Sequence, residues 1–502
     1  MVKNSFLGVA YQWWISSKAF ALLSAIWKFI DNAYENSVFA KFLRNNSKIQ
    51  QWYEASLLSR IIDGIFDFIL KLLAAICSFF KNAADSSLLV RLCRGSFIIN
   101  YEFLLGAFIC IMFIVPHEMW GNSYALAAIL GFFVIYLALA ALGKRKMMYP
   151  HELGFPFMLF VISCLISLLF TYDRADSFRI LLIFFSSFLF MYTIAADITD
   201  EKRLEKLMAF IFAAVIITSA YAVIQRMFNL VEVSASFTDL KANPGVPGRV
   251  ISTLDNPNNF AEFLVLFTPL CAVFAATRKN NFWVLILSLS LALPAVALIM
   301  TYSRSGWVSL FLAIFIYAWL RNKKLIPILI VLCLMAVPFL PDSVITRLST
   351  MTGVKDSSAA HRIALWQGGL DIIRDHGITG IGMGPDTFAH IYPNYAHPGA
   401  KAGAYHTQML YLELIVELGI LGLVSFIWMA VKIIRDAIVS RHNASRYAAL
   451  TLIACVSALL GITFSCCFEY IWFYPRDMFA YFILLGITLA AMKIPKEQTL
   501  SE

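Results

Sequence analysis

From about residue 103 to residue 492, apolar runs of roughly bilayer length alternate with short polar breaks. About twelve such runs are predicted, near 103–118, 123–142, 155–172, 178–196, 207–225, 260–276, 282–300, 306–320, 325–340, 409–432, 447–468 and 476–492. The first hundred residues differ. Leu58, Ile61, Ile62, Ile65, Ile69, Leu72 and Leu73 recur at helical spacing, with Arg60, Asp63, Asp67 and Lys71 on the opposite face. That pattern predicts an amphipathic helix in the headgroup plane, and Tyr11 to Ile30 reads the same way. The alternative is a spanning hairpin, whose polar stripe would face lipid at a cost. The chain thus divides into an interfacial region, 1–100, and a transmembrane core, 101–495.

Composition narrows the class. With 60% hydrophobic and 14% charged residues, the 502-residue chain is expected to be an all-α polytopic membrane protein. The net charge of +9 does not imply nucleic-acid binding, because the basic residues sit in short loops between spans. Lys144-Arg145-Lys146, Lys202-Arg203, Arg278-Lys279, Arg321 with Lys323-Lys324, Lys432 through Arg446, and Lys493 with Lys496 all fall on one side. By the positive-inside rule that side is cytoplasmic, as are both termini, and no cleaved signal peptide is expected. The two longest loops, about 226–259 and 341–408, then face outward, and the second holds five of the eight histidines. The nine cysteines show no metal-ligand spacing, so neither a disulfide framework nor a metal site is expected.

Candidate chemistry gathers on the outer side. Arg304 follows the apolar run Val284–Met300 and either snorkels to the headgroups or meets an anion. Arg249 and Arg362 are either solvated loop charges or anion ligands, and Asn256-Pro257-Asn258 reads as a turn capping the next helix. In the second loop, Ile363, Trp366, Leu370 and Ile373 predict a short helix with an apolar stripe that Gly377 ends. Gly380-Ile381-Gly382-Met383-Gly384-Pro385 is then a tight turn. His406 stands where this loop re-enters an apolar segment. It is either a junction-stabilising histidine or the proton-transfer group of a site at the membrane surface.

These motifs in this order resemble the O-antigen ligase family of bacterial membrane glycosyltransferases, which also contains polymerase-like members. The resemblance covers roughly residues 100–492. It rests on Gly248-Arg249 through Asn258, Thr301 through Gly306, His361-Arg362 through Gly382, and His406 through Gly422. It implies a GT-C-like helical fold with a large extracytoplasmic loop. It also implies inverting, metal-independent transfer of a glycan from undecaprenyl diphosphate at the outer face of a bacterial plasma membrane. By the resemblance, Arg249 and Arg304 bind the diphosphate, Arg362 and Asn258 are further substrate contacts, and His406 is catalytic. No cofactor is expected. The partners are the lipid-linked donor, a glycolipid or other envelope acceptor, and membrane lipids. Family members usually carry Asn after the histidine, where this chain has Thr407, whose hydroxyl can also donate. A polymerase joining lipid-linked units would need the same donor site. A solute transporter would place its ionisable groups at mid-bilayer instead of at the outer surface.

Overall fold

The structure, a computed structural model, describes residues 12–37, 46–86, 100–231, 248–336, 338, 341–349, 357–400 and 403–496. The described residues are helical. They comprise α1 (Lys18–Asn36), α2 (Asn46–Glu54), α3 (Leu57–Ser86), α4 (Tyr101–Ile114), α5 (Asn122–Ala141), α6 (Phe155–Leu169) and α7 (Arg174–Asp197). Then come α8 (Glu201–Met227), α9 (Pro257–Ala276), α10 (Asn281–Met300), α11 (Arg304–Arg321), α12 (Leu325–Ala336), α13 (Asp342–Ser349) and α14 (Ser357–His376). The last are α15 (Pro385–Ile391), α16 (Leu410–Ser440), α17 (Arg446–Ser465) and α18 (Pro475–Met492). Eight of these, α5, α7 to α10 and α16 to α18, are long and apolar enough to cross a bilayer; α4, α6 and α12 are shorter apolar helices. The chain is a multi-pass helical membrane protein.

Local chemistry starts these helices. Asp173, Asp200, Asn256, Asn280, Ser303 and Ser445 accept backbone N–H bonds at the starts of α7, α8, α9, α10, α11 and α17. Small residues let the helices close on one another. A Cβ at Gly461 of α17 would lie 2.6 Å from the Ser309 carbonyl of α11, and one at Gly486 of α18 2.8 Å from the Met191 carbonyl of α7. Inside, Phe160 with Phe184 and Phe188, Phe184 with Trp472, and Phe188 with Phe482 pack edge to face.

The predicted basic loops meet at one end of the bundle. There Arg145 bonds Asp197 at 2.7 Å and Glu102 at 3.1 Å, and Lys206 bonds Glu102 at 3.2 Å. At the same end α3 docks by its polar stripe: Asp63 meets His151 at 2.9 Å, and the Tyr149 hydroxyl donates to Asp67 at 2.7 Å. The predicted apolar face is split. Ile69 and Leu73 pack on the core, whereas Leu58, Ile61, Ile65 and Leu72 are exposed. Pairing with the 149–151 segment is what turns the charged side of this helix inward.

The second long loop is built rather than extended. Its described parts, α13, α14, α15 and the segment from 403, fold over the end of the bundle opposite the basic loops. The predicted helix ends at His376 before Gly377, but its buried face differs from the expected stripe: Ile363 and Leu370 are exposed, and Leu365 and Ile372 are buried. Gly368 and Gly369 explain the rotation. A Cβ on them would lie 2.6 Å from the Tyr395 carbonyl and 2.9 Å from the Thr407 side chain, so the bare face is the one that packs.

The glycine-rich turn has a specific partner. Helix α16 breaks at Gly419, whose φ of 72° no side chain favours. The carbonyls freed by the break accept from the turn: Ile381 N–H donates to Val416 at 2.8 Å and Gly382 N–H to Glu417 at 3.3 Å. In return Ile420 N–H donates to Gly377 at 2.8 Å. Broken backbone at membrane depth survives only where protein satisfies it.

Candidate active site

Five separate segments supply one hydrogen-bond network at the end away from the basic loops. Arg249 is 7% exposed. Its Nε–H donates to the Thr301 carbonyl at 2.7 Å and its Nη2 to Asn258 Oδ1 at 2.6 Å. Asn258, on the first turn of α9, donates from Nδ2 to Glu469 Oε1 at 2.8 Å. The same oxygen accepts from Arg362 Nη2, on α14, at 2.5 Å. Arg362 Nε–H then donates to Gln408 Oε1 at 3.1 Å, and the Gln408 backbone N–H donates to His406 Nδ1 at 3.0 Å. Arg249 and His406, 157 positions apart in the sequence, are thus joined through four side chains.

Backbone strain marks the same place. Four described non-glycine residues have positive φ, and three of them border this network: Ser252 (56°), Tyr302 (51°) and Gln408 (56°). Each costs on the order of 1–3 kcal/mol and persists only where surroundings enforce it. Gln225 enforces Ser252 through two bonds, accepting its N–H at 2.8 Å and donating to its carbonyl at 3.0 Å. Tyr302 directs the chain into Ser303 and Arg304, so that Arg304 opens α11 at the bundle end. The Tyr302 carbonyl also accepts from Arg347 Nε, 3.4 Å away on α13, and its hydroxyl pairs with Ser343 at 2.9 Å.

The electrostatics follow from this crowding. Burial, then the Arg347 guanidinium and more weakly those of Arg362 and Arg304, push the Arg249 pKa down to about 9 against the opposing pull of Glu469. Arg249 therefore remains a cation at neutral pH. The charges of Arg304, Arg347 and Arg362 thus converge on buried Arg249, with Glu469 among them, a setting suited to an anion. Guanidinium pairs hold phosphate oxygens by bidentate, charge-assisted bonds.

His406 lies against the Phe473 ring, centroids 4.4 Å apart, and the Tyr470 ring at 5.6 Å. Burial, with Arg362 and His361 nearby, pushes its pKa from 6.5 to about 3, so the ring is neutral. Thr407 faces away from it: its N–H and its hydroxyl both donate to Glu413 Oε2, at 2.6 Å each. Glu417, one helical turn on, accepts from Gly384 N–H at 2.9 Å and the Tyr470 hydroxyl at 2.8 Å. These two carboxylates fasten the loop to α16 and hold His406 at the junction. His406 is therefore a fixed junction histidine bordering Arg362.

Arg249, Asn258, Arg362 and His406 are bonded into one network, and Arg304 lies close enough for its charge to act on Arg249. Sequence reasoning missed Glu469, Gln408 and Arg347. Glu469 sits in the short turn between α17 and α18, where a single acid looks like an ordinary loop charge. Arg347 is 7% exposed on a helix of only eight residues.

Residues 289–427 match the model of the family described as O-Antigen ligase. That span contains Arg304, Arg347, Arg362 and His406, and not Arg249, Asn258 or Glu469. The chain is also similar to the ComP-specific O-oligosaccharyltransferase of Acinetobacter baylyi (strain ATCC 33305 / BD413 / ADP1). Identity is 27% over 235 residues, covering 45% of this chain and 41% of that protein. The chain thus matches less than half the length of this relative.

Proposed function

We propose, from the premise that the chain is of an O-antigen ligase-related family, that it is a membrane glycosyltransferase. It moves a glycan from undecaprenyl diphosphate to an envelope acceptor at the outer face of a bacterial plasma membrane. The observation that carries this reading is the gathering of Arg304, Arg347 and Arg362 about buried Arg249, at the bundle end opposite the basic loops. A lipid-borne diphosphate suits such a site. Its charge matches the guanidiniums, and its chain stays in the bilayer beside them.

In this reading Arg249 and Arg304 hold the diphosphate, Asn258 orients Arg249, and Arg362 links the anion site to the His406 loop. The acceptor oxygen attacks the anomeric carbon from the face opposite the diphosphate, inverting its configuration. Negative charge then grows on the departing diphosphate, where preorganised guanidiniums are worth most. They supply the role a divalent cation would otherwise fill. His406 is the catalytic candidate at the edge of this site.

The acceptor is open to a second reading, because the Acinetobacter relative is by name an O-oligosaccharyltransferase. A hydroxyl on a protein is then an alternative to a lipid-A core or a second lipid-linked unit. Purified protein would be given one undecaprenyl-diphosphate oligosaccharide with each acceptor separately. Glycan on the lipid core marks a ligase, lengthened lipid-linked glycan a polymerase, and glycosylated protein an oligosaccharyltransferase. Folded wild type that moves glycan to none of them would reject the reading. Orientation is tested by Tyr395→Cys, expected to react with an impermeant maleimide in intact cells. Labelling of Lys144→Cys in its place would put the site on the wrong side.

A further inference from the structure

The way His406 is held determines what it can do. The Gln408 backbone N–H donates to Nδ1, and a backbone N–H cannot accept. Nδ1 therefore spends its lone pair in that bond, and the proton of the neutral ring sits on Nε2. A ring in this tautomer offers the site a donor. To take a proton at Nε2 it would have to break the Gln408 bond and move its own proton first. Protonating Nδ1 instead would set a second positive charge beside Arg362 and between two aromatic walls.

Glu469 has the opposite character. Its Oε1 accepts both from Arg362 and from Asn258, and its Oε2 accepts from none of the described residues. Its side chain is 15% exposed. Its backbone is fixed at both ends: the Glu469 carbonyl accepts from Leu410 N–H at 3.2 Å, and its N–H donates to Ser465 at 2.9 Å. One oxygen thus anchors the carboxylate in the cationic cluster while the other keeps its lone pairs.

We propose that Glu469 takes the proton of the acceptor hydroxyl at Oε2, while His406 donates its Nε2–H to a phosphate oxygen of the donor lipid. This rests on the glycosyltransferase reading. The acceptor O–H bond breaks with its proton passing to Glu469, and the bond from acceptor oxygen to anomeric carbon forms. The bond from that carbon to the diphosphate oxygen breaks, its electron pair leaving with the lipid diphosphate. The proton moves late, once bond formation has acidified the hydroxyl.

The test uses full-length protein and an undecaprenyl-diphosphate oligosaccharide with whichever acceptor the wild type glycosylates. Glu469→Gln keeps an oxygen for Arg362 and Asn258 but no base. Its kcat is expected to fall by about 10²–10⁴-fold with donor KM within a few-fold. His406→Gln keeps an N–H donor and cannot act as a base, and is expected to retain much more activity than Glu469→Gln. The assignment is overturned if Glu469→Gln transfers within about threefold of wild type, or if His406→Gln at normal membrane abundance is as inactive as Glu469→Gln. Should Glu469→Gln be lost from the membrane, Glu469→Asp against Glu469→Asn decides: the carboxylate variant is expected to be clearly faster, and equal rates overturn the assignment. A wild type that moves no glycan rejects the glycosyltransferase reading itself. A transferring wild type beside an active Glu469→Gln rejects only the role of Glu469.

Discussion

Arg249→Lys keeps the charge of a buried guanidinium and removes its fork, so it separates a point charge from a directed ligand. In the structure Nε and Nη2 serve two acceptors lying in different directions, the Thr301 carbonyl at 2.7 Å and Asn258 Oδ1 at 2.6 Å. A lysine ammonium can serve one of them. Losing a hydrogen bond to a charged donor costs about 1.5–3 kcal/mol. If Thr301 is the acceptor abandoned, the 248–256 segment loosens at the end of α10; if Asn258 is, Glu469 loses the alignment of one of its two partners. Either way, at about 1.4 kcal/mol per factor of ten, kcat/KM for the lipid-linked donor is expected to fall roughly 10- to 150-fold. The assay is transfer by purified protein in detergent, with membrane abundance measured in parallel to show what share falls on folding. Arg249→Lys at normal abundance, with kcat/KM within about threefold of wild type, would refute the reasoning.

Gly380→Ala places a Cβ 2.3 Å from the Glu417 carbonyl at a φ of 75°, so the turn must leave the break in α16. Folded protein recovered from the membrane is expected to drop sharply, and unchanged recovery with wild-type melting would contradict the docking. For His406, the folded pKa of about 3 lies below the unfolded value of 6.5. Between these the unfolded chain binds a proton that the folded chain does not, so stability declines as pH falls below about 6.5. The thermal midpoint of wild type should therefore fall more between pH 6.5 and 5 than that of His406→Gln. An acid limb in the transfer rate near pH 6.5, abolished by His406→Gln, would show instead that the ring titrates during turnover. Activity is also expected to survive excess EDTA, because guanidiniums stabilise the leaving diphosphate. Loss on chelation, restored by magnesium, would hand that role to a metal.

Much of the candidate site was readable because its polar residues break a rule. Arg304 stands at the end of an apolar run, and His406 stands where a polar loop turns back into one. Such placements are costly and therefore informative. Helices were readable from apolar runs, but their limits were not. The segment expected at 409–432 is α16, Leu410–Ser440, because polar Lys432, Arg435 and Asp436 continue the helix beyond the apolar stretch, with Lys432 bonding Asp436 one turn on at 2.8 Å. The break at Gly419 depends on the turn Gly380–Pro385, 34 to 39 residues earlier, a tertiary match that periodicity does not encode. Glu469 was invisible for a similar reason. Its meaning comes from Arg362 and Asn258, 107 and 211 positions away. Arg347 reads as a surface charge until the Tyr302 carbonyl is found beneath it. The packed face of α14 departs from its apolar stripe because Gly368-Gly369, whose missing side chains admit the neighbouring chain, set it instead.

The identity of the lipid released during turnover tests the central claim most directly. Purified wild type in liposomes would be given an undecaprenyl-diphosphate oligosaccharide together with its acceptor, and both products would be followed by mass spectrometry. Attack at the anomeric carbon, with the guanidiniums holding the leaving group, predicts undecaprenyl diphosphate released in equal amount to the transferred glycan, and a new glycosidic bond of inverted configuration. Both products should fall together in Arg304→Lys. Release of undecaprenyl monophosphate with a phosphorylated glycan, or transfer that is indifferent to Arg304→Lys, would contradict the account.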